Sequence, residues 1–517
     1  MRLADYFDSA VGLNPQRPAF VDGQVRLDYS EAQKFVHATA HALADSQDLQ
    51  QGAHIAIYSP NDYRISLLQI AINRADMAWV ALHTRNAVGA NAATLEYADC
   101  ELIFFHSSFE SIVPVLKSGL PKVRKFICID KPSEHGEFLE SWIAPYQMAY
   151  VARVEDPDQA AVLQPTGGTT GPSKGALHTN RSVEMTLISI FDTLKLNSDS
   201  RILAVAPLTH AAAFVTLAGV ARGGCTVVLP GFDVAAVLAT IEREQITHMF
   251  MPPTVLYALL SAPQIASANL SSLQCIAVGA APIAPEKLKE AVRVFGPVIY
   301  EVYGQSECLF PVVAKQPADY VRPDGSFDED ALRSAGKCVP YACVEIMDDD
   351  GNIVDRGEQG EIVVRSAMVM KGYYKKPSET AEVSGFGWHH TTDVGIKDQR
   401  GFITIVDRKK DMIVTGGFNV FPSEIEAVIN SHPAVLDCAV IGVPDAKWGE
   451  AVKAVVQLKP GRRIDAEELI AMCKQELGSV KTPKSIEFWE ELPRSAVGKV
   501  LKRDIRGKFW AGQWRAV

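Results

Sequence analysis

The chain lacks the marks of several functional classes before it shows those of any. No two of its nine cysteines form a C-x-x-C pair, and the closest, Cys338 and Cys343, have no histidine at a zinc-binding spacing. Reduced thiols in a cytoplasmic protein are the simplest account of them. Positive charge is short: 51 Lys+Arg against 61 Asp+Glu give a formal net charge of −10, which argues against a nucleic-acid partner. No run of about 18 apolar residues escapes a charge, so no transmembrane segment is expected. The opening M-R-L-A-D-Y-F-D-S-A carries Asp5 and Asp8 and no apolar run like that of a signal peptide. No short-period repeat is present. What remains is a 517-residue chain, 47% hydrophobic and 22% charged, an ordinary globular balance.

Apolar, β-branched runs alternate with helix-period stretches over most of the length. Residues 54–59 (H-I-A-I-Y-S), 125–130, 225–230, 247–251 and 275–279 read as strands; 63–73, 234–244 and 285–295 read as helices. That alternation predicts α/β layers with largely parallel sheets. After about residue 333 the texture shifts to short strands and tight turns, a β-rich subdomain ending near Asp407. Then P-S-E-I-E-A-V-I-N-S-H-P predicts a helix opened by a capping box of Ser423 and Glu426. A strand (V-L-D-C-A-V-I-G-V-P) and a helix near 466–477 follow, so the C-terminal part forms a small α+β domain joined near D-R-K-K-D (407–411). The tail from Pro493 to Val517 is rich in Lys and Arg, with Asp504 its one acid, and carries Trp510 and Trp514. It reads either as a membrane-surface helix or, with better support, as a solvated helix that approaches a polyphosphate.

The loop T-G-G-T-T-G-P-S-K-G (166–175) combines glycines, hydroxyls and Lys174. Glycines let backbone N–H groups turn around an anion, and lysine adds a point charge. Its spacing is not G-x-x-x-x-G-K-[ST], so a kinase or GTPase is not indicated, and a flexible surface loop is the alternative. Y-G-Q-S-E (303–307) follows a predicted strand at 298–302, at the kind of strand end where open α/β sheets bind ligands. A carboxylate there, beside phosphates, suggests Mg²⁺. Asp393 in T-T-D-V-G is a candidate acceptor for ribose hydroxyls, and Gly498–Lys499 lies in the basic tail. Singly, these read equally as a core tyrosine, a surface acid and a solvated lysine.

Together with P-L-T-H, G-A-A-P, D-R-K-K-D-M-I-V-T-G-G-F-N-V-F-P-S-E-I-E and P-R-S-A-V-G-K, these motifs appear in one order from about residue 165 to 502. The sequence thereby resembles the adenylate-forming superfamily of acyl-CoA synthetases, luciferases and peptide-synthetase adenylation domains, most closely its AMP-dependent CoA-ligase branch. The resemblance implies an α/β fold: a large N-terminal domain (1–409) of layered α/β subdomains plus the β-rich one, hinged to a small, mobile α+β C-terminal domain (410–517). It implies that ATP and a carboxylic acid give acyl-AMP and pyrophosphate, and that coenzyme A then takes the acyl group.

It also implies roles for matching positions. Thr166, Gly167, Gly168, Thr169, Thr170, Gly171 and Lys174 cradle the β- and γ-phosphates. Gly279, Ala280, Ala281, Pro282, Glu301, Val302 and Tyr303 line the adenine slot, with Tyr303 against the base, and Gly304 is a further ATP-binding position. Ser306 meets the α-phosphate, Glu307 holds Mg²⁺, and Asp393 and Arg408 bind ribose. Lys499 bridges the attacking carboxylate and the α-phosphate, where two anions must approach and positive charge is needed. His210 closes the acyl pocket, a core imidazole being its alternative; Lys410 is the pivot, and Gly416, Gly417 and Trp448 face CoA. Four positions depart from the pattern: Gly167, Ser173, Ser306, and Thr392 where glycine is usual. None removes a charge that the chemistry needs.

The segments that resemblance places around the acyl group, A-A-A-F after His210 and C-L-F-P after Glu307, are apolar and carry no arginine for a dicarboxylate and no acid for an ammonium. A neutral fatty, aromatic or alicyclic acid is expected. The stretch between Lys499 and Val517 is too short to hold a carrier domain, so free CoA is the expected acceptor. A homodimer and peripheral membrane contact are both compatible with this reading. A luciferase-like oxygenase, an ADP-forming phosphotransferase and a non-catalytic nucleotide sensor are its rivals.

Overall fold

A computed structural model describes the chain except residues 147–148, 151–155, 167–173, 410, 416–417, 446–447, 496–499 and 511–517. It has the expected α/β architecture, and divides into two compact units. The larger comprises Met1–Gly168, Pro172–Val344 and Val364–His389; the smaller is built mainly of Glu345–Val363 and His390–Val517.

In the larger unit, one sheet is eight-stranded, ordered Gly372–Tyr373, Gly175–Thr179, Ala160–Pro165, Ala78–Val80, His54–Tyr58, Cys100–Phe105, Lys125–Cys128 and Glu137–Phe138. The other runs Gly336–Cys338, Val313–Lys315, Ile299–Tyr303, Cys275–Gly279, His248–Met251, Arg201–Ala204, Cys225–Val228, Pro18–Asp22 and Val25–Asp28. Their central strands are parallel, as strand–helix alternation requires. Helix Val234–Glu244 begins where Asp233 accepts the Ala236 N–H at 2.8 Å. It ends at Gln245, in the left-handed region. Helix Pro285–Phe295 begins at a proline, whose missing N–H costs nothing in a first turn.

The smaller unit carries most of strands Gln359–Arg365 and His389–Lys397 and all of Phe402–Arg408, then a sheet ordered Phe418–Val420, Ile413–Thr415, Gly449–Leu458 and Val435–Asp445, with Ser485–Phe488 parallel to Gly449–Leu458. Val435–Asp445 is apolar almost throughout because both its faces are covered. Cys438 and Val440 pack with Ile425, Ile429, Leu469 and Cys473 of helices Pro422–Ser431 and Ala466–Lys481. Ala439 and Ile441 pack with Ile505 of helix Lys502–Trp510 on the opposite face.

The capping box expected at Ser423 and Glu426 does not form. Ser423 Oγ donates to Val406 O, and Glu426 Oε1 accepts the Val440 N–H at 2.7 Å. The cap comes from a distant residue instead: Asp407 Oδ2 accepts the Ser423 N–H at 2.9 Å. Among the described residues no helix is long and apolar enough to cross a membrane, and the nine cysteines are free.

Candidate active site

The glycine-rich loop leaves and re-enters the eight-stranded sheet at one point. Pro165 pairs with Gly175 across the antiparallel strands Ala160–Pro165 and Gly175–Thr179, and Thr166 N–H donates to Lys174 O at 2.7 Å. The hairpin geometry thus brings Thr166 and Lys174 together at the base of residues 167–173.

Strand Ile299–Tyr303 lies parallel to Cys275–Gly279 and delivers Y-G-Q-S-E at its carboxyl end. Two glycines let the backbones close there. A Cβ on Gly279 would sit 2.7 Å from Val302 O, and one on Gly304 would sit 2.7 Å from the Phe310 Cα. Ser306 Oγ donates to Pro165 O (3.3 Å), which ties this turn to the loop base. The Ser306 carbonyl accepts from His178 Nε2 at 2.7 Å, and burial holds His178 neutral by lowering its pKa to about 4.

Tyr373 joins the two halves of this region. Its hydroxyl donates to Glu307 Oε1 at 2.7 Å, and Lys174 Nζ lies 4.8 Å from its ring centroid. Tyr373 reaches this position because Gly372–Tyr373 pairs with Gly175–Thr179, with Tyr373 opposite Ala176. Thr166, Lys174, Ser306 and Glu307, predicted from separate motifs, therefore stand as one group. Tyr373 and His178 are its unpredicted members, and no local sequence signal marks either.

The remaining predicted residues are distributed as follows. Ala280 lies just past its strand at φ +71°, exposed; Ala281 is half-buried and Pro282 exposed. Glu301 turns its carboxylate to Lys315, 2.8 Å away, while Val302 is buried and Tyr303 half-buried. His210 Nδ1 accepts from Gln164 Nε2 (3.3 Å), and its ring lies 6.1 Å from that of His83. Burial, with His83 adding to it, lowers its pKa to about 4, so it is neutral at pH 7. Just beyond it, helix Ala212–Ala221 is buried along its whole length. Ala212, Val215 and Thr216 pack with Val205, Ala206 and Phe250 around an interior void of about 10 Å³, room for one water at most, and Phe250 stacks on Phe310 at 5.3 Å.

In the smaller unit, Asp393 and Arg408 face each other across an antiparallel pair, with Arg408 Nε 3.2 Å from Asp393 Oδ1. Asp393 is 4% exposed. Thr392, beside it, sits at φ +60°, its N–H donating to Glu361 Oε1 (2.9 Å) and its carbonyl accepting from Lys409 N (2.8 Å). At this left-handed backbone position a β-branched residue is strained by its Cβ, which glycine lacks. Thr392→Gly should therefore raise stability by about 1 kcal/mol, read as a higher urea midpoint. An unchanged or lower midpoint would show that the flanking hydrogen bonds absorb the strain. Trp448 is 42% exposed, its N–H bound to Asp445 Oδ1 at 2.9 Å. Gly167, Gly168, Thr169, Thr170, Gly171, Lys410, Gly416, Gly417 and Lys499 lie outside the described residues.

Glu307 and the adjacent Ser306 offer hard oxygen donors, but no three His, Cys, Asp or Glu side chains among the described residues gather as a metal cage. Such a donor set suits a cation that shares its shell with phosphate and water, as Mg²⁺ does.

The AMP-binding enzyme family matches residues 7–374, and the AMP-binding enzyme C-terminal domain matches residues 424–499. The chain is 41% identical over 418 residues to FadD8, a medium/long-chain-fatty-acid–CoA ligase of Mycobacterium tuberculosis, covering 79% of this chain and 70% of that one. It is 33% identical to a feruloyl-CoA synthase of an Amycolatopsis species, over 96% and 97% of the two chains. Among solved structures, the amide bond synthetase McbA of Marinactinospora thermotolerans superposes with a TM-score of 0.89 at 29% identity, covering 98% of this chain and all (100%) of that one.

Proposed function

The chain belongs to the AMP-binding enzyme family, as an AMP-forming acid–thiol ligase, and we propose how its residues divide the work. The observation that carries the proposal is the single group formed by Thr166, Lys174, Ser306 and Glu307, drawn together through Tyr373.

Thr166 and Lys174, with Gly167, Gly168, Thr169, Thr170 and Gly171, take the β- and γ-phosphates that leave as pyrophosphate. Ser306 takes the α-phosphate. Gly279 to Pro282 and Glu301 to Tyr303 form the adenine slot, with Tyr303 against the base and Gly304 a further ATP-binding position, and Asp393 and Arg408 hold the ribose. Glu307 anchors Mg²⁺, whose contribution when bound is to neutralise triphosphate charge. Lys499 supplies the positive charge where carboxylate meets α-phosphate, and fixing both reactants side by side removes most of the entropic barrier. The C-terminal domain, from 410 onward, pivots at Lys410 between half-reactions and then presents Gly416, Gly417 and Trp448 to CoA. The acid is neutral and apolar, fatty, aromatic or alicyclic, as the absence of any charged residue in A-A-A-F after His210 and C-L-F-P after Glu307 favours. A cytoplasmic setting fits the ATP and CoA it consumes.

Carboxylate-dependent ATP–pyrophosphate exchange across fatty, aryl, alicyclic and dicarboxylic acids tests the reading, with AMP and acyl-CoA followed after CoA is added. Exchange with a neutral apolar acid and formation of its CoA thioester are expected. ADP as product, or an acyl group passed only to an amine, would overturn it. Within the same assay, Tyr373→Phe should lower exchange about tenfold, since a hydrogen bond to a charged group is worth about 1.5–3 kcal/mol. An unchanged rate would mean that Glu307 is held by its own turn.

A further inference from the structure

Helix Lys502–Trp510 opens on a lysine, at the end of a helix where the macrodipole disfavours positive charge. A residue that breaks a local preference is usually held by something at longer range. Here Lys502 Nζ lies 2.9 Å from Glu426 Oε1, with only 22% and 16% of the two side chains exposed. Glu426 is itself fixed by the Val440 N–H at 2.7 Å. Burial alone would lower the Lys502 pKa, but Glu426 and the two acids that flank Lys410, Asp407 and Asp411, hold it up. Asp407 is in turn bound to the Ser423 N–H on the helix that bears Glu426.

Three positions upstream of Lys502 is Lys499. The chain on either side of 496–499 is closed: Arg494 pairs with Val500, Leu501 N–H donates to Pro493 O at 2.8 Å, and Arg494 is salt-bridged to Asp437 at 2.8 Å. Leu492 and Ile505 bury the flanks against Ala439, Ile441 and Val455. The base of the segment that carries Lys499 is therefore attached to the sheet by apolar contacts and by Arg494. To the helix Pro422–Ser431 it is attached through the Lys502–Glu426 pair.

We propose that Lys502, clamped to Glu426, is a positioning residue for adenylation: it fixes Val500 and Leu501, the base from which the segment bearing Lys499 departs, to helix Pro422–Ser431. The inference rests on the reading that Lys499 serves the first half-reaction and not the second. A clamp of this kind affects the adenylation step alone, because thioester formation uses a different face of the C-terminal domain. Ordinary loss of stability would affect both steps.

The test uses the full chain with Lys502→Met, Lys502→Arg, the double variant Lys502→Met/Glu426→Leu, and Lys499→Ala. The double variant removes the pair without stranding a charge, so it keeps the test open if Lys502→Met fails to fold. Pyrophosphate exchange is measured with dodecanoate and with ferulate, and acyl transfer to CoA is measured from the corresponding preformed adenylates. Lys502→Met and the double variant should lower exchange about 10²-fold while transfer stays within about threefold, with Lys502→Arg restoring much of the loss. Equal loss in both half-reactions, or no loss in the double variant, would overturn the inference. If Lys499→Ala also leaves exchange intact, the functional reading of Lys499 fails first; if Lys499→Ala abolishes exchange and the Lys502 variants do not, the inference alone fails.

Discussion

Lys315→Met should destabilise the larger unit by about 3–5 kcal/mol, the usual cost of stranding a buried charge. Lys315 is fully buried on strand Val313–Lys315, directly opposite Glu301 on Ile299–Tyr303, with Nζ 2.8 Å from the carboxylate. Burial pushes the Glu301 carboxyl up, and Lys315 pulls it back toward ionisation. The ammonium also donates to the carbonyls of Ala331 (3.0 Å), Leu332 (3.3 Å) and Ser334 at the end of helix Glu329–Arg333, capping groups that the helix cannot satisfy itself. Because one lysine serves both a carboxylate and a helix end, Lys315→Met/Glu301→Leu should recover only part of the loss. Urea unfolding followed by tryptophan fluorescence checks both variants. Full recovery in the double variant would show that the carbonyls find other partners. Since Glu301 and Tyr303 share one short strand, the same pair holds the strand end from which the adenine slot is proposed to open.

What the sequence made legible follows from how local each signal is. Helices 234–244 and 285–295 have the bounds their patterns predict, because Asp233 and Pro285 act within a turn of where they stand. The strand 275–279 is likewise as read. The capping box at Ser423 failed for the opposite reason. Both its side chains are taken by partners far along the chain, Val406 for the serine and Val440 with Lys502 for the glutamate. Glu301 showed only as part of a motif, since its buried partner Lys315 stands on the neighbouring antiparallel strand. Tyr373 and Lys174 are remote in the chain, and only the pairing of Gly372–Tyr373 with Gly175–Thr179 brings them together. Motifs therefore marked Thr166, Lys174, Ser306 and Glu307, whereas Tyr373 and His178, which contact them, come from sheet order, which no short window contains. Thr392 is an intermediate case: its departure from glycine was visible in the sequence, but the positive φ that gives the departure a cost was not.

Asp393→Asn should raise the KM for ATP by about 10–100-fold, from the roughly 1.5–3 kcal/mol that a hydrogen bond to a charged acceptor contributes. The carboxylate is 4% exposed and stands on a strand, so it is held in place before any nucleotide arrives. Arg408 fixes one of its oxygens, and Thr391 Oγ1 accepts the Asp393 N–H at 3.1 Å, which leaves little freedom in the backbone. Asparagine keeps the shape and one acceptor, and Arg408 is 39% exposed, so water can replace the lost ion pair at small cost to the fold. A ribose presents two hydroxyls and 2′-deoxy-ATP only one, which makes the analogue a second perturbation of the same contact. The unchanged chain should prefer ATP to 2′-deoxy-ATP, and Asp393→Asn should lose most of that preference, because interacting partners are non-additive. Exchange kinetics with both nucleotides decide the matter. If the variant raises KM but keeps the full preference, Asp393 acts only by holding Arg408, and the arginine is then the group that meets the nucleotide.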